Sequence, residues 1–96
     1  NRFLNLEERA RALCLSRSLF AAQASVKTGE RDAATICEAV RAGMSEVRID
    51  YVELVDADTM QPIKRLEKPA VLAVAAFVGE ARLIDNIVLN PNQSGD

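Results

Sequence analysis

The stretch IDYVELV, Ile49 to Val55, is where the pattern of this chain changes and where its fold is decided. Upstream, apolar residues recur every three or four positions. Here they alternate with period two and are rich in β-branched types, the signature of a half-buried strand. The alternation predicts that Ile49, Tyr51, Glu53 and Val55 face one way and Asp50, Val52 and Leu54 the other. Everything before this stretch reads as helix and everything after it as strand, so the chain divides into a helical half and a sheet half.

Working back towards the N-terminus, Asn5 followed three residues later by Glu8 predicts a helix N-cap with its capping-box partner. Leu4 ahead of the cap can staple onto the aliphatic stem of Arg9. The first helix then carries Leu6, Ala10, Leu13, Cys14, Phe20, Ala21 and Ala24 as its expected apolar stripe. Glu7 and Arg11 fall four apart on the wet side in the favourable order. Thr28-Gly29 ends the helix, with Lys27 in its last turn. Asp32 caps a second helix whose stripe is Ala33, Ile36, Cys37, Val40, Met44 and Val47. Gly43 interrupts that pattern at a cost of about 1 kcal/mol against Ala and permits close packing. The connection is short, so the helices are expected to form an antiparallel hairpin.

Working forward, DADTMQP breaks the first strand at Asp56 to Pro62, and Pro62 marks irregular backbone. Further strands read from Ala70 to Val78 and from Arg82 to Leu89, joined by Gly79-Glu80 as a hairpin turn. Pro91 stops the last strand, and NQSGD reads as a frayed tail. The prediction is an α+β fold of one domain, residues 1–96, in which an N-terminal helical hairpin packs on a three-stranded antiparallel sheet. Such a sheet leaves edges and an open face.

Composition limits the functions available. An apolar fraction of 49% supports a real core, and a formal charge of −2 gives no electrostatic reason to expect nucleic acid or an anionic membrane as partner. No apolar run approaches the ~18–20 residues of a membrane span, and no signal peptide is evident, so the chain reads as soluble and cytoplasmic. It begins at Asn1 without an initiator Met and reads as a fragment or a processed product. Histidine is absent, which removes the commonest general base and metal ligand and excludes a Ser-His-Asp hydrolase built on Ser16, Ser18 or Ser25. Cys14 and Cys37 are too few for a zinc site and fall on apolar helix positions, where they are expected as buried free thiols. The Asp56-Ala57-Asp58 run superficially suits a metal but reads as a turn whose acid side chains bond the local backbone. Gly79-Glu80 lacks the glycines and the following helix of a phosphate loop. Arg9, Arg11 and Arg17 make a basic patch that reads as a solvated helix face.

One stretch remains unexplained by packing. RLIDNIVL, Arg82 to Leu89, places an acid and an amide, Asp85 and Asn86, in the middle of an apolar strand. The expectation is a structural role: Asp85 and Asn86 satisfy backbone groups or meet Arg82 at a strand irregularity. A place at a domain interface is the competing reading.

Four stretches, in order and spacing, carry a family resemblance: NRFL at 1–4, EERARAL at 7–13, DYVELVDADTMQP at 50–62 and VAAFVGEARLIDNIVL at 74–89. Together they resemble the C-terminal domain of the pantothenate synthetase (pantoate–β-alanine ligase) family, over essentially Asn1 to Leu89. The resemblance implies an enzyme that condenses pantoate with β-alanine using ATP, through a pantoyl-adenylate, releasing AMP and pyrophosphate. It implies a larger N-terminal nucleotide-binding domain of Rossmann type that holds most substrate contacts, ATP and magnesium, and a parent that is a homodimer. The present chain matches the part that serves as a hinged lid over the cleft. Of the family's ATP-binding elements only the position beside the phosphate-gripping loop falls here, at Asn1. No catalytic residue, metal ligand or bound cofactor is expected on the chain itself. The residues alone leave a second reading open, an autonomous interaction or dimerisation module using an open sheet face or edge.

Overall fold

The computed structural model describes residues 4–92. Helix α1 (Leu6–Lys27) and helix α2 (Ala33–Gly43) precede strands β1 (Arg48–Asp56), β2 (Ala70–Val78) and β3 (Ala81–Leu89). The sheet is antiparallel with the order β1-β2-β3, and both helices pack on one of its faces. The α+β arrangement and all five elements match the sequence reading, with β1 and β3 extended by a residue at one or both ends.

The helix starts form as their caps dictate. The Asn5 carboxamide oxygen accepts the Glu8 N–H at 2.7 Å while the Glu8 carboxylate accepts the Asn5 N–H at 3.1 Å, closing the capping box. Asp32 accepts the N–H and the hydroxyl of Thr35 at 2.9 and 2.7 Å. Arg11 donates to Glu7 at 3.1 Å as the spacing requires. Gly29, at φ 116°, supplies the left-handed residue after α1.

The face that α1 buries differs from the expected stripe. Cys14, Leu15, Ser18, Leu19, Ala22 and Val26 point inward, whereas Leu6, Leu13 and Phe20 are exposed and Ala10, Ala21 and Ala24 lie on the wet side. Apolar and small residues lie all round this helix, so periodicity alone names no preferred face. The sheet's own positions choose the row that fits. On α2, with its clear polar side, Ala33, Ile36 and Val40 are buried as expected and Cys37 packs at the margin, but the helix stops at Gly43, so the buried Met44 is its C-cap and Val47 packs from the turn beyond. Cys14 is thus shielded while Cys37 is partly exposed, a correction to the expectation of two buried thiols. Gly43 does permit close approach: a Cβ there would overlap the Ser18 hydroxyl of α1.

A bulge between Ile49 and Tyr51 corrects the facing of β1. Ile49 pairs with Ala76 and Tyr51 with Ala75, so Asp50 is the extra residue. Ile49 therefore joins Val52 and Leu54 on the core side, while Tyr51, Glu53 and Val55 take the open face. The core is completed by Ala70, Leu72, Val74 and Ala76 of β2 and by Leu66 from the long β1–β2 connection.

That connection is ordered by Asp56. One Asp56 oxygen accepts the N–H groups of Asp58 and Thr59 at 2.8 and 2.9 Å, and the other lies 3.4 Å from the Lys68 ammonium. The D-x-D run is therefore the turn expected. The Thr59 N–H, then that of Asp58, and more weakly Lys68 hold the Asp56 carboxyl below its ordinary 3.8. A folded-state value below the unfolded one means that the carboxylate stabilises the fold above the unfolded value, and that this contribution is lost as pH falls through the folded one. Melting temperature measured down an acid series should fall less steeply below about pH 4 in Asp56→Asn than in the unaltered chain. Equal slopes would mean that the turn does not hold the charged form.

Candidate functional site

The register decides where each polar residue of β3 stands. Leu83, Asp85, Ile87 and Leu89 lie opposite Ala76, Val74, Leu72 and Ala70, all core-facing, so this row lies under the helices. Arg82, Ile84, Asn86 and Val88 belong to the open face. Asp85 thus enters a groove between α1 and β3, whose walls include Leu4, Leu13 and Leu83 and whose polar members are Arg9, Ser16 and Asp85. Ser16 spends its hydroxyl on the Leu13 carbonyl at 3.2 Å. The rim is apolar and wet: Leu13 is 59% and Ile84 60% exposed.

Of the two structural arrangements expected for Asp85 and Asn86, satisfying backbone groups or meeting Arg82 at an irregularity, the second is not what the structure contains. Pairing of β3 with β2 runs without a register shift from Ala70–Leu89 to Val78–Ala81. The irregularity lies in β1, and the acid that Arg82 meets there is Asp50, which accepts from Nε at 3.0 Å and Nη2 at 2.8 Å. The same guanidinium stands 5.9 Å from the Tyr51 ring centre, and Arg48 lies 4.3 Å over Phe77, so one end of the open face is a set of cations laid against aromatic rings. The Asp85 carboxylate instead accepts the N–H of its neighbour Asn86 at 2.8 Å. Asn1, the one expected nucleotide-adjacent residue, lies outside the described residues.

Two features escaped the sequence. Arg31 donates to the carbonyls of Val26, Glu30 and Pro91 at 2.7, 2.9 and 3.0 Å, tying the end of α1 to the segment after β3. A second groove lies between the start of α2 and β1, with Cys37, Glu53 and Lys64 among its lining. Burial raises the Cys37 thiol above its ordinary value. Among the described residues no group of three or more His, Cys, Asp or Glu is placed to hold a metal ion, and no helix is long and apolar enough to cross a membrane.

A two-layer α+β domain with wet apolar rims is an architecture that more than one family uses. The comparisons say which. The family model for pantoate-beta-alanine ligase matches residues 1–88, and the chain belongs to that family. It is 51% identical over 92 residues to pantothenate synthetase 1 of Bradyrhizobium diazoefficiens, covering 94% of this chain and 32% of that protein. It is 47% identical over 92 residues to pantothenate synthetase of Thermotoga neapolitana, covering 93% and 33% respectively. The crystal structure of pantothenate synthetase from Thermus thermophilus superposes with a TM-score of 0.82 at 32% identity, over 91% of this chain and 32% of that one. The chain therefore spans about a third of the length of these relatives.

Proposed function

We propose that this chain is the C-terminal lid domain of a cytoplasmic, homodimeric ligase that joins pantoate to β-alanine. In this reading ATP and Mg are held by an N-terminal nucleotide-binding domain, pantoate is activated as pantoyl-adenylate, and AMP and pyrophosphate leave. On the same reading Asn1 is the residue that adjoins, in sequence, the loop that grips the ATP phosphates. The observation that carries the reading is the family match along residues 1–88 of a chain that spans about a third of its relatives. Its chemistry is consistent with a lid: closure over a reactive acyl-adenylate excludes water, and a lid needs surface to dock rather than acids and bases to react. The exposed Leu13, Phe20 and Ile84 supply such surface, since apolar area gains about 25 cal/mol per Å² on leaving water.

The test is AMP release from ATP, pantoate and β-alanine. The chain by itself should match a no-protein control. Joined to the nucleotide-binding portion of a relative, it should restore AMP release that requires both other substrates. Turnover by the chain alone, or a folded but inert fusion beside an active intact relative, would overturn the assignment.

A further inference from the structure

The two edges of the sheet are protected in different ways. The β1–β2 register points the backbone groups of Val52, Leu54 and Asp56 away from β2, and at each of these residues one of them has a partner. Val52 O accepts from Arg41 at 3.2 Å, Leu54 O from the Ile63 N–H at 3.2 Å, and the Asp56 N–H donates to Gln61 O at 2.9 Å. Loop and helix thus cover the β1 edge. The β3 edge has no strand beside it among the described residues.

Its geometry follows from the turn. Gly79 at φ 60° opens a two-residue hairpin closed by Val78 and Ala81, so Ala81, Leu83, Asp85, Ile87 and Leu89 exchange ladder bonds with β2. The backbone groups of Arg82, Ile84, Asn86 and Val88 point outward. Nine residues of regular strand with Ile84 60% and Val88 54% exposed form the kind of edge that recruits another strand. At its middle, the outward Asn86 N–H is already taken, by the Asp85 carboxylate at 2.8 Å.

We propose that Asp85 is an edge cap: its carboxylate occupies the central outward amide of β3 and keeps this edge from pairing with β3 of a second copy. The edge is self-complementary about this point. An antiparallel pairing centred on Asn86 sets Ile84 against Val88 and needs the Asn86 N–H, which is capped. A pairing centred on Asp85 also needs that N–H and brings two carboxylates face to face. The same residue therefore blocks both central registers, and an acid followed by an amide in mid-strand has a reason independent of any substrate.

Amide hydrogen exchange on the unaltered chain tests the cap directly. Among the outward amides, that of Asn86 should exchange at least about tenfold more slowly than those of Ile84 and Val88, as one charge-assisted bond allows. Equal rates would overturn the proposal. Asp85→Val, checked for a cooperative melt, should self-associate in sedimentation velocity with an association constant at least about tenfold above the unaltered chain. Adding Val88→Lys, which sits on the open face away from the α1–β3 groove, should return it to monomer. A folded Asp85→Val that stays monomeric, or an association that Val88→Lys leaves intact, would overturn it as well. If Asp85→Val does not fold, the exchange rates alone decide.

Discussion

Leu66→Ala should cost the chain about 2–5 kcal/mol, the range for a leucine removed from a core that cannot fully collapse. Leu66 belongs to no helix or strand, yet it is 1% exposed and sits in the same cluster as Ile36, Leu54 and Leu72. Its N–H donates to the Arg31 carbonyl at 2.7 Å, which fixes the backbone and leaves little freedom to refill the cavity. A domain of this size has a total stability of roughly 5 kcal/mol, so the variant should be partly unfolded near room temperature. Urea melts should show the midpoint collapsing with little change in slope. A loss under about 1 kcal/mol would mean that the β1–β2 connection is a surface loop and not part of the core.

The second large effect is expected at Arg31. Its guanidinium serves three carbonyls, those of Val26, Glu30 and Pro91, from a half-buried position. Arg31→Ala should lose about 2–3 kcal/mol, since hydrogen bonds from a charged donor are worth more than neutral ones and the carbonyls left behind are partly desolvated. The melting temperature should fall by about 4–8 °C per kcal/mol. Arg31→Lys should recover only part of this, because a point charge cannot serve both sides of the fork. Full recovery by Lys would show that charge, not the planar fork, is what matters. Combined with Leu66→Ala the losses should depart from additivity, because the main-chain bond between the two residues passes a backbone shift at one to the other.

These two residues also mark the limit of what the sequence discloses. The change of period at Ile49, the caps at Asn5 and Asp32 and the Gly79-Glu80 turn are local signals, and each element they predict is present. The α2 stripe was legible because polar residues fill its other side. The α1 stripe was not, because apolar residues surround that helix and only the sheet selects among them. The bulge at Asp50 has no local signature: an acid in an alternating strand fits either phase, and the shift shows only once Tyr51 pairs with Ala75. The Pro91 carbonyl that Arg31 reaches and the Asp50 carboxylate that Arg82 meets lie 60 and 32 positions away, and nothing in the local pattern points to them. Asp85 and Asn86 were legible as an anomaly but not as an edge, because a strand's place in the sheet depends on the order of its neighbours.

The clasp at Arg31 has an evolutionary corollary. All three of its acceptors are main-chain oxygens, which every amino acid presents alike. Drift can therefore replace the side chains at 26, 30 and 91 without loosening it, and no compensating change elsewhere is called for. Statistics of paired substitutions, which find contacts because one side chain answers another, should record Arg31 as a residue without a correspondent. A tether across 60 positions of the chain would leave its trace in one column alone.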